Sequence, residues 1–258
     1  MPRTLDFQPH VATVESEGEA FKFLICDEIA EEWYETCRPG SRAEMRFIRD
    51  HLLKAGDLAV ECGCHHGFTA LLLSRWVGSE GRVIGFDVNA RNVAIARRNM
   101  ELNGVKNVEI HLAAVGNRTD RVQVTDSSNA RVVHPFVHGD VLVVGVRLDD
   151  CLGRDIPDLI KIDVEGYELE VLKGLARVLA EGRSNLALEI HRDALRDYGA
   201  SMTDVLELIG LQDYLCWFGV GDEANEAIAR FTLGKSRVPS GPRVYLFAVP
   251  RIIPHCRA

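Results

Sequence analysis

The sequence of 258 residues lacks several features that would assign it to a particular class of protein. It has no run rich in lysine or arginine, and its formal net charge is −8. A broad nucleic-acid-binding surface, which works by neutralising phosphates, is therefore not expected. No apolar stretch reaches membrane-spanning length, and the N-terminus has no charged segment followed by an apolar core. We expect a cytoplasmic protein that binds neither nucleic acid nor membranes.

The cysteines lack the spacing of a metal finger. There are seven of them, an odd number. Cys62 and Cys64 lie inside a glycine-rich turn, where neither sulfur is well placed to bind a structural zinc ion. We interpret the cysteines as reduced, small side chains in a cytosolic protein. The length and the apolar fraction of 47% are those of an ordinary globular α/β domain.

Predicted strands and helices alternate along most of the chain. Seven segments have the length and composition of strands: 58–62, 82–87, 108–113, 158–163, 185–190, 213–218 and 243–249. Helices are predicted between them, at 67–77, 90–103, 167–181 and 201–210. This alternation predicts a parallel sheet with right-handed crossovers. The long excursion over 219–242 would allow the last strand to insert antiparallel.

Two regions do not follow this alternation. Residues 120–125 and 141–147 are predicted to be strands, and the polar segment 126–140 between them is predicted to be a loop. Near the N-terminus, Ala20 to Glu35 would form a helix or a strand followed by a helix. Ser41 and Glu44 have the spacing of a capping box, which predicts that a helix begins there.

A glycine-rich turn follows the first of the seven strands. It reads Glu61-Cys-Gly63-Cys64-His65-His66-Gly67, and the next strand ends in Asp87. Glycines allow the backbone to turn tightly and to approach a ligand closely, and a carboxylate at the end of the next strand can accept hydrogen bonds from ribose hydroxyls. The pattern therefore predicts a pocket for a nucleoside-bearing cofactor.

The charge of the turn favours one cofactor over another. A dinucleotide loop needs the pattern G-x-G-x-x-G so that a pyrophosphate can sit on a helix N-terminus. Here Glu61 precedes the first glycine, and His65 and His66 stand where further glycines would be expected. A carboxylate repels a pyrophosphate but suits S-adenosylmethionine, which carries an ammonium and a sulfonium and no phosphate. S-adenosylmethionine is therefore favoured over NAD.

Ionisable residues end two of the later strands. Lys161 and Asp163 lie at the end of one strand with Glu165 just beyond, and Glu189 and His191 lie at the end of the next. The carboxyl ends of parallel strands meet at one edge of a sheet, where ligands bind. A buried group of this kind costs free energy unless its charges are paired or bound to a ligand. Each residue also has a structural alternative, such as an ion pair for Lys161 or a helix-terminal acid for Glu165.

Several segments together resemble a known family. The glycine turn and Asp87 match class I S-adenosylmethionine-dependent methyltransferases. The block Lys161-Ile-Asp163-Val-Glu165-Gly-Tyr-Glu-Leu-Glu-Val-Leu-Lys-Gly and the later Leu-Glu189-Ile-His191 resemble the FkbM-type branch of that class. The resemblance covers about residues 44–218. The chain departs from the family pattern at Glu61, where aspartate is usual, at His65, where asparagine is usual, and at Asp87, where glutamate is more frequent.

The resemblance implies a fold and a set of cofactor contacts. The fold is an α/β, Rossmann-like class I methyltransferase fold, with a mostly parallel seven-stranded sheet, an antiparallel last strand and helices on both faces. Residues 44–258 would form the S-adenosylmethionine-binding domain, and residues 1–43 an N-terminal segment that covers the acceptor pocket. The implied cofactor contacts are Glu61, Gly63, Cys64, His65 and Gly67 at the methionine end, Asp87 at the ribose, and Val88, Asn89, Ala113 and Ala114 near the adenine.

The resemblance also implies O-methylation of a hydroxyl on a small molecule, such as a sugar or a secondary metabolite. An alkyl hydroxyl needs a general base or a metal ion to lose its proton at neutral pH. The candidate catalytic residues are His191, Asp163, Glu165 and Lys161, with His191 or Asp163 as the base. As the second alternative to a general base, Asp163 and Glu189 would bind a divalent metal ion that lowers the pKa of the hydroxyl.

Three other interpretations stay open at this point. An NAD-dependent oxidoreductase is opposed by Glu61 and by the missing third glycine. A nucleic-acid methyltransferase would need a basic face and usually an Asn-Pro-Pro-aromatic tetrapeptide, and the sequence has neither. A non-catalytic nucleoside-binding module with the same fold is the third. The identity of the acceptor and a homo-oligomeric assembly are left undecided by the sequence.

Overall fold

The structure is a computed structural model that describes residues 7–36, 42–133, 141–220 and 227–251. Its strands are β1 (His10–Ser16), β2 (Glu19–Ile25), β3 (Leu58–Cys62), β4 (Arg82–Asp87), β5 (Val108–Leu112), β6 (Ala114–Val115), β7 (Arg121–Val124), β8 (Val141–Val146), β9 (Leu159–Ile162), β10 (Asn185–His191), β11 (Tyr214–Val220), β12 (Ala227–Phe231) and β13 (Arg243–Pro250).

The helices of the described ranges are short, apart from two. They are α1 (Glu28–Ala30), α2 (Ala43–Phe47), α3 (Phe68–Val77), α4 (Ala90–Leu102), α5 (Leu148–Leu152), α6 (Glu168–Lys173), α7 (Ala176–Glu181), α8 (Arg192–Leu195) and α9 (Met202–Ile209). Helices α1 and α2 continue as π-helical turns, Glu31–Thr36 and Ile48–Leu52. None of these helices is both long and apolar enough to cross a membrane.

The main sheet has eight strands in the order β12-β11-β13-β10-β9-β3-β4-β5. Neighbours from β10 to β5 run parallel, whereas β13 runs antiparallel to both β10 and β11. The seven predicted strands and the antiparallel last strand are therefore confirmed. The eighth strand, β12, comes from the predicted excursion over 219–242 and extends the edge of the sheet next to β11.

The two additional predicted strands form a separate small sheet. β7 and β8 pair antiparallel, and β6 joins β8, so the order is β6-β8-β7. The predicted loop between β7 and β8 is described only up to residue 133, and the rest of it, 134–140, lies outside the described residues. The described part returns to the sheet edge through a bridge between Val124 and Val132.

Two apolar cores lie on the two faces of the main sheet, as expected for helices on both faces. Helices α5 to α9 contribute to one core, and α2, α3 and α4 contribute to the other. The helix predicted over 167–181 is two helices, because the chain bends at Gly174. A Cβ atom at Gly174 would lie 2.1 Å from the carbonyl oxygen of Gly116, which leaves room only for glycine.

The N-terminal segment folds onto the second core. β1 and β2 form a hairpin whose Phe21, Phe23 and Ile25 are almost completely buried against α3 and α4. The backbone N–H of Leu24 donates to the side chain of Asn99 on α4. The hairpin therefore shares the core of the main domain. Ser41 of the predicted capping box lies outside the described residues, and α2 begins at Ala43 without a side-chain cap.

Candidate active site

A cleft opens at the carboxyl ends of β3, β4 and β9, where the sequence predicted it. Its empty space, including the mouth, is about 1180 Å³. The predicted site residues in its wall are Glu61, Gly63, Cys64, His65, Asp87, Val88, Lys161, Asp163, Glu165 and Glu189. Those that do not line it are Gly67, Asn89, Ala113, Ala114 and His191. The cofactor turn and the acidic strand ends therefore face one space.

The glycine turn is held tightly against the end of β9. Gly63 has φ +87°, and a Cβ atom there would lie 1.8 Å from the carbonyl oxygen of Asp163. The N–H groups of Gly63 and Cys64 donate to the carbonyl of Phe86 at 2.8 and 3.0 Å, and the N–H of His65 donates to Asp87. These three amides are already used within the protein. They are not offered to a pyrophosphate, unlike the amides of a dinucleotide loop.

Glu61 is a buried carboxyl that faces the cleft. It is 1% exposed, and its Oε2 has no hydrogen-bond partner among the described residues. Burial raises the pKa of Glu61 to about 8, although the positive charge of Lys161 opposes the shift. A buried carboxyl oxygen without a hydrogen bond is costly, and a cationic group of a ligand would satisfy it. The residue therefore fits a cofactor that carries an ammonium and a sulfonium.

Asp87 holds the turn in place. Its carboxylate accepts hydrogen bonds from the N–H of His65 at 2.8 Å, from the N–H of Asn89 at 2.8 Å and from the side-chain amide of Asn92 at 3.2 Å. Burial raises its pKa to about 6, against the effect of these hydrogen bonds. Oδ2 accepts only the bond from His65 among those three, so it has capacity for a further donor such as a ribose hydroxyl.

Four of the predicted cofactor contacts have other roles. Gly67 allows close helix packing, because a Cβ atom there would lie 2.9 Å from the Met100 side chain on α4. Asn89 caps α4 by accepting the N–H of Arg91 at 2.8 Å. Ala113 and Ala114 are buried in apolar clusters. These four residues do not line the cleft, whereas Val115, the next residue along, does. Their contacts with the cofactor stay predictions.

Lys161 and Asp163 form an ion pair at the inner end of the cleft. The Lys161 ammonium is 3.2 Å from Asp163 Oδ2 and 3.7 Å from Glu44 Oε1. Burial opposes the charge on Lys161, but the surrounding carboxylates outweigh it and raise the pKa of the ammonium. Burial likewise opposes ionisation of Asp163, and Lys161 together with His191 lowers the pKa of the carboxyl overall. Both groups are therefore charged at neutral pH.

His191 lies behind the cleft wall and is surrounded by carboxylates. Nδ1 is 2.9 Å from Glu168, and Nε2 is 3.5 Å from Glu165, 3.6 Å from Glu189 and 4.0 Å from Asp163. Burial alone would lower the pKa of His191, but the hydrogen bond to Glu168 and the nearby negative charges raise it to about 9. In the ligand-free protein the imidazole is therefore protonated at neutral pH, which argues against His191 as the base.

The N-terminal part of the chain, which was predicted to cover the acceptor pocket, supplies wall residues that were not predicted individually. Trp33, Tyr34, Arg42 and Glu44 all line the cleft. Two adjacent aromatic residues, Trp33 and Tyr34, were the one feature of the sequence that could have indicated a wall of the pocket here. Nothing in the sequence indicated that Glu44 would contact Lys161, because the two residues are far apart along the chain.

A chain of hydrogen bonds joins this segment to the glycine turn and to the loop after β7. The Tyr34 hydroxyl lies 2.9 Å from His65 Nδ1, and His65 Nε2 lies 3.0 Å from the Ser128 hydroxyl. Ser128 in turn donates to Asp27 at 2.9 Å. Burial lowers the pKa of His65 well below its usual range, so the ring is neutral. Tyr34 therefore donates to Nδ1, and Nε2–H donates to Ser128.

The topology and the acidic glycine turn are those of the Rossmann-like, class I methyltransferase fold. Residues 61–216 match the model of the Methyltransferase FkbM domain, which is more than half of the chain. The chain belongs to this FkbM methyltransferase family. The oxidoreductase interpretation gains no support from this match.

Individual relatives resemble parts of the chain. Methyltransferase 1 of Beauveria bassiana (strain ARSEF 2860) is 26% identical over 175 residues, which cover 53% of this chain and 70% of that protein. The ribosomal protein L11 methyltransferase of Syntrophomonas wolfei subsp. wolfei is 34% identical over 83 residues, 32% of this chain and 25% of that protein. The chain thus spans only a quarter of the L11 methyltransferase.

A solved structure shares the fold. The crystal structure of Methyltransferase FkbM from Methylobacillus flagellatus KT superposes with a TM-score of 0.50 at 23% sequence identity. The superposition covers 77% of this chain and 45% of that chain.

Proposed function

We propose that the protein transfers the methyl group of S-adenosylmethionine to a hydroxyl of a small molecule, such as a sugar or a secondary metabolite. The observation that supports this most directly is the ionised Asp163 in the cleft, next to the cofactor turn. A hydroxyl must lose its proton as it attacks the methyl group, whereas a neutral amine can attack with its lone pair. A carboxylate kept ionised by Lys161 and His191 suits a hydroxyl acceptor.

At the cofactor end, two carboxyl groups would receive polar groups of S-adenosylmethionine. Glu61 would receive the ammonium of the methionine part, since its Oε2 is buried without a partner in the described chain. Asp87 would receive a ribose hydroxyl on Oδ2. Val88 and Val115 would contact the adenine, because both line the same wall beyond β4 and β5. Gly63 lets the backbone turn between these groups without a side chain in the way.

At the acceptor end, the proposed base is Asp163, and the positive charges of Lys161 and His191 position it. Methyl transfer is an in-line displacement at carbon, so the acceptor oxygen must lie on the extension of the bond between sulfur and methyl. Asp163 would accept the hydroxyl proton as the carbon–oxygen bond forms. Lys161 positions Asp163 from one side, and His191 from the other. Glu165 stays close by, held by Asn129 at 3.0 Å.

The N-terminal segment would cover the acceptor. Trp33 and Tyr34 line the cleft above the turn, and the loop after β7 faces them through Ser128. A small acceptor enclosed by these elements would be shielded from water. This supports the predicted role of residues 1–43 as a cover, with the addition that the hairpin is anchored in the main core.

The test is a transfer assay with identification of the product. The protein is incubated with methyl-labelled S-adenosylmethionine and a panel of sugars and hydroxylated metabolites, together with amine and thiol analogues of each. We expect S-adenosylhomocysteine to form with a hydroxylated acceptor, and NMR of the product to show a methyl ether. Methylation of only the amine or thiol analogues would contradict the proposal.

A further inference from the structure

His191 Nε2 faces three carboxylates without a hydrogen bond to any of them. The separations to Glu165, Glu189 and Asp163 are 3.5, 3.6 and 4.0 Å, longer than the roughly 2.8 Å of a charge-assisted hydrogen bond. One ligating atom each from Asp163, Glu189 and His191 lies within 4.8 Å of the others. The carboxylates converge on the imidazole but leave a gap between them.

The size of the gap matches a metal ion. Ligand atoms about 2.1 Å from one divalent ion lie about 3.0 to 3.5 Å apart, depending on the geometry. The separation of 3.6 Å between His191 and Glu189 is already close to that range. Asp163 Oδ1, which lies 4.0 Å from His191 and within 4.8 Å of Glu189, would need to move inward. Mutual repulsion between the carboxylates would decrease if such an ion were bound.

A buried carboxylate orients the imidazole for this role. Glu168 is completely buried, and its Oε1 accepts from the N–H of Gly166 at 2.9 Å and lies 2.9 Å from His191 Nδ1. Histidine ligands of metals commonly donate their second N–H to a carboxylate, which fixes the ring and its tautomer. A metal ion would displace the second proton of the His191 imidazolium, and Glu168 would then keep the remaining proton on Nδ1 and leave Nε2 as the ligating atom.

The charges of the surrounding cleft also favour a cation. Lys161 is paired with Asp163 Oδ2, whereas Oδ1 of the same carboxylate faces His191. Arg243 contacts Glu189 at 3.3 Å. Four carboxyl groups surround the His191 ring, those of Asp163, Glu165, Glu168 and Glu189, against the two cations Lys161 and Arg243. Burial raises the pKa of Glu189 to about 8, so a bound metal ion would also displace the proton of this carboxyl.

We propose that His191, Asp163 and Glu189 bind one divalent metal ion behind the acceptor pocket. One imidazole nitrogen and two carboxylates favour a transition ion such as Mn²⁺ over Ca²⁺, which prefers oxygen ligands alone. The ion would lower the pKa of a hydroxyl that reaches it, so that Asp163 no longer acts as the sole proton acceptor. This catalytic consequence rests on the proposed function, whereas the metal site itself does not.

The direct test is Mn²⁺ binding by the full chain after removal of bound metal with a chelator. Free Mn²⁺ is measured by its electron paramagnetic resonance signal during a titration with MnCl₂. We expect one ion per chain, and binding at least about tenfold weaker in His191→Gln and in Asp163→Asn. Circular dichroism checks that each variant is folded.

Two control variants locate the ion. Among the described residues, His10, Glu31 and Glu35 form the other group that could hold a metal. Glu35→Gln weakens that group, and Asp193→Asn removes an exposed carboxylate two residues after His191. Both variants are expected to bind Mn²⁺ as the wild type does. Anomalous diffraction from a Mn²⁺-soaked crystal gives the position even if the cluster variants do not fold.

Three results would overturn the metal site. They are absence of Mn²⁺ binding by the wild type, unchanged binding in both His191→Gln and Asp163→Asn, and an anomalous peak away from the cluster. Methyl transfer to a hydroxyl without Mn²⁺ binding would overturn the metal site and leave the proposed function standing. Mn²⁺ binding without methylation of any hydroxyl would support the metal site and contradict the proposed function.

Discussion

The two ends of the cleft are built in different ways. The cofactor end is defined by backbone: Gly63 lies against the carbonyl of Asp163, and the amides of the turn donate to Phe86 and Asp87. The acceptor end is defined by charged side chains, such as Lys161 and Glu44, that come from distant parts of the chain. Recognition therefore depends mainly on shape at the cofactor end and mainly on electrostatics at the acceptor end.

This difference has consequences for substitutions. A change that adds volume should be most harmful at the cofactor end, where no atom can move without shifting the backbone. A change that removes charge while keeping shape should be most harmful at the acceptor end, because buried ions depend on their partners.

The largest effect is expected from a charge-removing substitution at the acceptor end. Asp163→Asn keeps the shape of the side chain but cannot accept the hydroxyl proton. We expect the rate of methyl transfer to fall about 10²- to 10⁴-fold. The affinity for S-adenosylhomocysteine, measured by calorimetry, should change by only a few fold. Asp155→Asn, which alters an exposed carboxylate paired with Arg82, is the control. An equal loss of cofactor affinity and rate in Asp163→Asn would break the distinction between the two ends.

The next effect comes from added volume at the cofactor end. Gly63→Ala places a methyl group 1.8 Å from a backbone oxygen. We expect it to lower the free energy of unfolding by about 3 kcal/mol and to abolish cofactor binding. Urea denaturation measures the first quantity, and calorimetry with S-adenosylhomocysteine measures the second.

Gly56→Ala is the matched control for this experiment. Gly56 has a similar φ of +90°, and a Cβ atom added there would meet no other atom within 4 Å. Its substitution should cost only the backbone strain of about 1 kcal/mol. Similar losses of stability in the two variants would show that contact with Asp163 does not limit the turn.

A smaller effect is expected from pH. Burial raises the pKa of Glu61 and of Glu189 to about 8 and that of Asp87 to about 6, and the nearby carboxylates raise the pKa of His191 to about 9. The folded protein therefore keeps protons that the unfolded chain has released. The unfolding free energy of the ligand-free, chelator-treated protein should therefore fall as the pH rises from 5 to 8. The slope is about 1 kcal/mol per pH unit for each group that titrates. Thermal or urea unfolding at several pH values measures it.

Glu61→Gln tests the source of this slope. The variant has no titratable group at position 61, so its stability should fall less steeply between pH 6 and 8, where Asp87 contributes little. A saturating amount of S-adenosylmethionine should also flatten the wild-type curve, because its ammonium favours the ionised carboxylate. Stability that rises with pH over this range would contradict the assignment of both pKa values.

The smallest effect concerns the hydrogen bonds that join the N-terminal segment to the turn. Tyr34→Phe removes the donor to His65 and should cost about 1 kcal/mol of unfolding free energy. Tyr214→Phe is the control, since the Tyr214 hydroxyl is buried without a hydrogen-bond partner in the described chain. That substitution should be neutral or slightly stabilising. A larger cost for Tyr214→Phe would show that the chain of bonds does not stabilise the segment.

The sequence was sufficient to predict the sheet and the cofactor turn. Apolar strands, the glycines and the acid that ends β4 are local signals, and their order specifies the topology. The sequence was not sufficient to predict that Gly63 lines the cleft and that Gly67 does not. Both have positive φ, but the first lies against the backbone of β9 and the second against α4, and only the packing of α3 decides which glycine faces the cleft.

The acceptor end was predictable only as a list of ionisable residues. The sequence placed Lys161, Asp163 and His191 at one edge, but it could not give the pKa of His191. That pKa depends on Glu168, which lies on α6 and contacts the His191 ring although the two residues are distant along the chain. Glu44 and Trp33 were missed for the same reason, because they reach the cleft from α2 and from the N-terminal segment, far from β9 along the chain.

The most direct test of the central claim is a crystal structure of the complex with S-adenosylhomocysteine. The account predicts that the homocysteine ammonium lies within hydrogen-bond distance of Glu61 and that a ribose hydroxyl donates to Asp87. The sulfur should point towards Asp163, where the acceptor oxygen would approach. A ligand bound outside the cleft, or with its ammonium directed away from Glu61, would contradict the account.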